Sequence, residues 1–118
     1  MTGRKWGVRL GRSAELDFAN ILIWTTANFG SAQSRAYRNT LLQAIRELEG
    51  GPEIAGAKKR DEIKQGLYTL HVARGGRRGR HLLAYRVAGD HIIEIGRILH
   101  DRMDLTRHWL FPPDDGHA

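Results

Sequence analysis

Cysteine is absent from the 118 residues, which removes disulfides, thiol nucleophiles and cysteine-metal sites from consideration. Stability therefore has to come from packing. Long apolar runs are also missing: no segment approaches the ~18 uninterrupted apolar residues of a membrane span. The opening MTGRKWGVRL has two early cations but no apolar stretch before Trp6, so it does not read as a signal peptide. A soluble, cytoplasmic protein with no membrane partner is expected. The six histidines show no HExxH or comparable spacing, and neither a metal nor another cofactor is predicted. With 41% hydrophobic content and no low-complexity tract, the chain suits a single domain over residues 1–111. Residues 112–118, which open Pro112-Pro113-Asp114-Asp115-Gly116, should trail off in disorder.

What is present is positive charge, and it is unevenly placed. The formal charge is +6, yet Lys58 to Arg86 alone holds nine basic residues against Asp61 and Glu62, a local +7. Such a concentration attracts polyanions, whether nucleic acid or an acidic protein segment. It equally suits a solvated face that serves solubility.

Hydrophobic periodicity lays out the elements. Trp6, Val8 and Leu10 alternate with polar residues as in a strand. Ser13 is placed to cap a first helix, with Glu15 and Asp17 near its positive end. Ala14, Phe18, Ile21, Leu22 and Thr25 share one face of that helix, and Leu16, Ile23 and Ala27 form a second apolar stripe. Asn28-Phe29-Gly30 ends it, and Ser31 is placed to cap the next. Tyr37, Leu41, Ile45 and Leu48 line the second helix's inner side, leaving Arg35, Arg38, Asn39 and Arg46 for the outer side. Gly50-Gly51-Pro52 stops it, and a loop follows to Glu62.

Tyr68, Leu70 and Val72 mark a second strand, and Leu83, Tyr85 and Val87 a third. Between them, Arg74-Gly-Gly-Arg-Arg-Gly-Arg80 is a glycine-rich basic connection. After a Gly89-Asp90 turn, Ile93, Ile95, Arg97 and Leu99 mark one face of a fourth strand, with Ile92 and Ile98 on the other, so this strand should be central. Asp104 is placed to cap a short helix running to Leu110. The fold class is α+β: an N-terminal strand, a helical hairpin, then an antiparallel three-strand meander with a short C-terminal helix. The first strand returns alongside the meander, the hairpin covers one sheet face, and the opposite face and the strand ends stay open.

In this order and length, Ala14-x-x-Asp17-Phe18-x-x-Ile21, the Phe29-Gly30 turn and the closing YRV...IIEIGRILHDRMD resemble the ParE/RelE superfamily of toxins from type II toxin-antitoxin pairs. The ILHDRMD ending is closer to the ParE branch. RelE-like toxins cut messenger RNA on the ribosome with basic side chains that activate the 2′-OH and stabilise charge on the phosphate. Here Arg97 follows Gly96, but Ile98 and Leu99 come next, and no tyrosine follows Tyr85. The resemblance therefore implies a DNA gyrase inhibitor that blocks replication and is neutralised by a ParD-like antitoxin, with operator DNA reached only through the antitoxin complex. The alternative is a ribosome-dependent mRNA endonuclease using Arg74, Arg80, Arg97 and His100.

On the leading reading no residue is catalytic. Arg97, His100, Arg102 and Trp109 are the candidates for target binding, and Leu16, Ile23, Arg74, Arg77, Arg78 and Arg80 for antitoxin binding. Blander roles stand beside these. Leu16, Ile23 and Ala27 suit packing within the domain or in a homodimer, and Arg102 suits pairing with Asp101 or Asp104. Trp6 and Trp24 read as core anchors, and Trp109, Leu110 and Phe111 as a cluster closing the core. His71, His81 and His91 read as ordinary residues at strands or their ends. The basic connection suits gripping phosphates or a mobile hairpin loop.

Overall fold

Residues 3–107 are described by the computed structural model. Strand β1 (Gly7–Leu10) leads through Gly11 into helix α1 (Arg12–Phe29), and Gly30 joins it to helix α2 (Ser31–Glu47). Neither expected serine cap forms: Gly11 and Gly30 occupy the N-cap positions without a side-chain cap bond, and both serines lie inside the helices. Gly30 has φ 91°, a left-handed value that glycine adopts without steric cost. That one residue both closes α1 and opens α2.

A 3-10 turn (Leu48–Gly50) ends the hairpin at the predicted glycines. The stretch read as a loop contains a two-residue strand, β2 (Lys58–Lys59), paired antiparallel with β3 (Tyr68–His71). Its lysines sit on a sheet edge, where charge discourages pairing with another chain. Strands β4 (His81–Gly89) and β5 (Ile92–His100) complete a five-stranded sheet in the order β1-β5-β4-β3-β2. Only β1 runs parallel to its neighbour, β5, which lies inside the sheet between β1 and β4, while β4 holds the middle place expected for β5. The left-handed turn residue between β4 and β5 is His91 at φ 55°, not Gly89, which stays within β4. Trp6 stacks on the His91 ring at 4.3 Å.

The helices cover one sheet face, where Ala14, Leu41, Leu48, Leu70, Tyr85, Ile93 and Ile95 are buried together. The other face is not open. Leu67, Leu82, Ala84 and Leu99 form a second cluster beneath Ile63 and Leu105. Strict alternation puts Leu99 with Ile93 and Ile95, and Ile98 opposite, but the structure reverses these two. The pairing moves from Tyr85↔Ile95 to Ala84↔Arg97 and leaves Gly96 as an extra residue. A one-residue bulge flips every later side chain to the other face.

Trp24 is no core anchor; it is 60% exposed, and Phe29 packs edge-on against it. Trp6 is half-buried against the helix-side core. Each fully buried leucine or isoleucine contributes roughly 1.5–3 kcal/mol, whereas an exposed ion pair contributes about 0–1 kcal/mol. The two apolar clusters, rather than the many surface ion pairs, hold the fold. Among the described residues no helix is long and apolar enough to cross a membrane. A 3-10 turn (Leu105–Arg107) begins at Asp104, whose Oδ1 accepts the Thr106 backbone N–H at 3.0 Å as an N-cap. The expected continuation to Leu110, the Trp109-Leu110-Phe111 cluster and the 112–118 tail lie outside the described residues.

Candidate functional site at the strand exit

Three carboxylates organise the cations that the sequence singles out. Asp101, just past β5, accepts hydrogen bonds from His71 Nε2 at 2.9 Å and from the Arg80 guanidinium at 3.2 Å. Its backbone N–H donates to the Arg80 carbonyl at 2.8 Å. The bonds from His71 and then Arg80 hold its carboxyl down at about 2. Arg102, the expected partner of Asp101 or Asp104, makes no ion pair among the described residues. The i, i+1 and i+3 spacings left that pairing open, and the β-ladder settled it by bringing β3 and β4 to Asp101.

Tyr37 and His81 join this cluster from α2 and β4. The Tyr37 hydroxyl accepts the Arg80 backbone N–H at 3.1 Å and lies 2.6 Å from His81 Nδ1. Which of the two donates in the Tyr37–His81 bond follows from the imidazole tautomer, Tyr37 giving its proton when Nδ1 is bare and accepting when Nδ1 carries one. His81 faces His100 edge-on at 5.5 Å. Burial first, and the neighbouring His100 second, lower the His81 pKa to about 4; burial raises that of Tyr37. His71 Nδ1 accepts the Ala73 N–H at 3.0 Å, so both of its ring nitrogens are occupied. His71 and His81 are thus parts of a bonded network, not the ordinary strand residues expected.

The other arginines are held elsewhere. Asp17 on α1 receives Arg97 Nε at 2.7 Å and NH2 at 3.0 Å, and also caps the Ile98 backbone N–H at 2.9 Å. This hydrogen bonding raises the Arg97 pKa. In the β4–β5 register, Arg97 stands three residues up the ladder from His100, about 10 Å along the strand. Glu47 at the end of α2 receives Arg74 at 2.6 Å and Arg77 at 3.0 Å. Against burial, which works to raise it, these bonds keep its carboxyl below the ordinary range. Arg74 also donates to the Ala55 carbonyl at 2.8 Å, passing a Gly56 whose Cβ would stand 2.6 Å from the guanidinium.

The structure therefore separates the four residues proposed for RNA cleavage. Arg80 and His100 meet at Asp101, whereas Arg97 is drawn to Asp17 and Arg74 to Glu47. Tyr37 and Glu47 anchor the two ends of the basic connection ten residues apart on α2, about 15 Å. The connection is accordingly pinned at both ends. Of its cations, Arg78 is exposed and makes no ion pair among the described residues. Trp109 lies outside the described residues.

Along α1, Leu16 and Ile23 are 57% and 66% exposed, accompanied by Trp24 and Phe29. Packing within the domain, the blander role for the first two, does not occur. Sequence reasoning missed Tyr37, Asp17 and Glu47 as organisers. Tyr37 carried a core-stripe signal, Asp17 a helix-dipole signal and Glu47 none, and their partners are 27 to 81 residues away.

Comparison with known proteins follows the same lines. Residues 8–105 match the family model for the ParE toxin of type II toxin-antitoxin system, parDE. Toxin ParE1 from two strains of Mycobacterium tuberculosis is 33% identical over 99 residues, covering 84% of this chain and 93% of that protein. A chain of the chromosomal ParDE system from P. aeruginosa superposes with TM-score 0.66 at 21% identity, covering 83% of this chain and 98% of its own. A chain of the RelBE2 toxin-antitoxin complex from M. tuberculosis gives 0.56 at 19% identity, with 82% and 92% covered. At those identities the two structures speak to the fold alone.

Proposed function

Because the chain belongs to the ParE toxin family of type II toxin-antitoxin systems, we propose that it is a cytoplasmic toxin that occupies DNA gyrase, halts replication and is silenced by a ParD-like antitoxin. One observation carries the choice of occupation over bond-breaking. Arg74, Arg80 and Arg97, the cations required to polarise a phosphate, each already hold a carboxylate. Turning such a guanidinium toward a phosphate would give up a charge-assisted hydrogen bond that the fold already makes. What remains available is surface: Arg102, His100 and the end of β5 toward the target, and the exposed stripe of α1 toward the antitoxin. Operator DNA is then reached through the antitoxin's own DNA-binding part. The purified chain should inhibit gyrase supercoiling; folded protein without effect in that assay would refute the reading.

A second reading draws on the Tyr37, His81, His100 and Arg80 contacts, which gather an acid–base set at one strand end. On that reading the chain is a ribosome-dependent mRNA endonuclease. Codon-positioned cleavage of ribosome-bound message, lost on H100A, would establish it in place of gyrase inhibition.

A further inference from the structure

Helix α2 carries Arg35, Arg38 and Arg46, all exposed, and none makes an ion pair or side-chain hydrogen bond among the described residues. This contrasts with the basic connection, where Glu47 and Asp101 pair with three of the four arginines, Glu47 taking two of them. The one acid of α2 is Glu47, already taken by Arg74 and Arg77. At 100° per residue the three arginines and the exposed Asn39 fall within an arc of roughly 100° on the side away from Leu41 and Leu48. Arg35 and Arg38 are like charges at i, i+3, an unfavourable pair on an isolated helix. No carboxylate of the fold engages the stripe, which leaves its guanidinium donors open to an anion from outside.

We propose that this stripe binds the phosphate backbone of duplex nucleic acid without reading sequence. Arginine presents a planar fork of donors that matches phosphate oxygens, and asparagine is a common companion at such contacts. From Arg35 to Arg46 the stripe runs ~17 Å, about five base-pair steps of a duplex. An acidic protein segment would need apolar seats beside the charges, as an amphipathic partner does. The large exposed apolar side chains lie on α1, β4 and beyond β5, and none is on α2. This surface is separate from the strand exit, and its assignment goes beyond the gyrase reading without resting on it.

The test is fluorescence anisotropy of a short labelled random-sequence DNA duplex with the full chain, titrated between about 50 and 200 mM salt. The triple variant R35Q/R38Q/R46Q should flatten the plot of log affinity against log salt by roughly 2–3, near 0.9 per arginine. The control R4Q/R86Q/R107Q removes the same formal charge from carboxylate-paired positions and should leave the slope unchanged. Circular dichroism verifies both folds, and should the triple variant not fold, R35Q and R38Q alone should each flatten the slope by about 1. An unchanged slope in the stripe variants, an equal loss in the control, or binding of a polyglutamate peptide with none of the duplex would overturn the assignment.

Discussion

At the residue scale, the strand-exit cluster makes stability depend on pH in two separate windows. His81 has its pKa lowered to about 4 from an ordinary 6.5, so between those values the unfolded chain takes up a proton that the folded chain refuses. Stability then falls as pH drops from about 6.5 to 4, by on the order of 2–3 kcal/mol in total. In urea titrations followed by circular dichroism, His81→Gln should flatten that part of the profile. Asp101 is depressed to about 2, so its contribution is complete above an ordinary carboxylate pKa near ~4 and is lost as pH falls from there through about 2. D101N should remove the steep acid limb below about pH 4 and leave the His81 window in place. Identical profiles for wild type and both variants would mean that these bonds do not tune the two groups.

At the element scale, the basic connection depends on a close approach that only glycine permits. A Cβ at Gly79 would stand 2.6 Å from Val72 Cγ2 and 3.0 Å from the Tyr37 hydroxyl oxygen. Gly79→Ala should therefore cost ~1–3 kcal/mol and, by loosening the packing that keeps His81 from water, move the His81 window back toward higher pH. Thermal unfolding and a histidine NMR titration read the two effects separately. Helix α1 gives the complementary case. Leu16 and Ile23 are exposed, so L16D/I23D should change stability by no more than about ±0.5 kcal/mol per site. The same variant should weaken capture of the cognate antitoxin at least about tenfold, or ~1.4 kcal/mol. Unaltered capture would place the antitoxin elsewhere.

Element existence was legible because periodicity reports burial directly: Tyr68, Leu70 and Val72 alternate in sequence and pack together in the core. What alternation missed was the insertion at Gly96, since one extra residue reverses Ile98 and Leu99 without disturbing composition. The serine caps were plausible by type, yet Gly11 and Gly30 hold those positions because the chain must turn there. In the candidate site, Arg74, Arg80, Arg97 and His100 stood out through the resemblance to RelE-like toxins. Their separation did not, because the carboxylates that sort them come from α1, the end of α2 and the turn after β5. A run of charge also misleads about where charge is free. The dense segment is largely compensated, while the dispersed arginines of α2 are not.

At the scale of the whole molecule, an α-helical hairpin on one sheet face carries an apolar stripe and a cationic stripe, and the opposite sheet face is closed by a smaller core. At the strand exit Arg80 is engaged by Asp101, while Arg102 makes no ion pair among the described residues. That arrangement suits a protein that acts by being held against partners. The decisive measurement is a gyrase assay on relaxed plasmid, run with the purified chain beside ribosome-bound message in the same preparation. The account predicts blocked supercoiling or gyrase-dependent linear DNA while the message stays intact; a message cut at codon positions with gyrase turning over normally would contradict it.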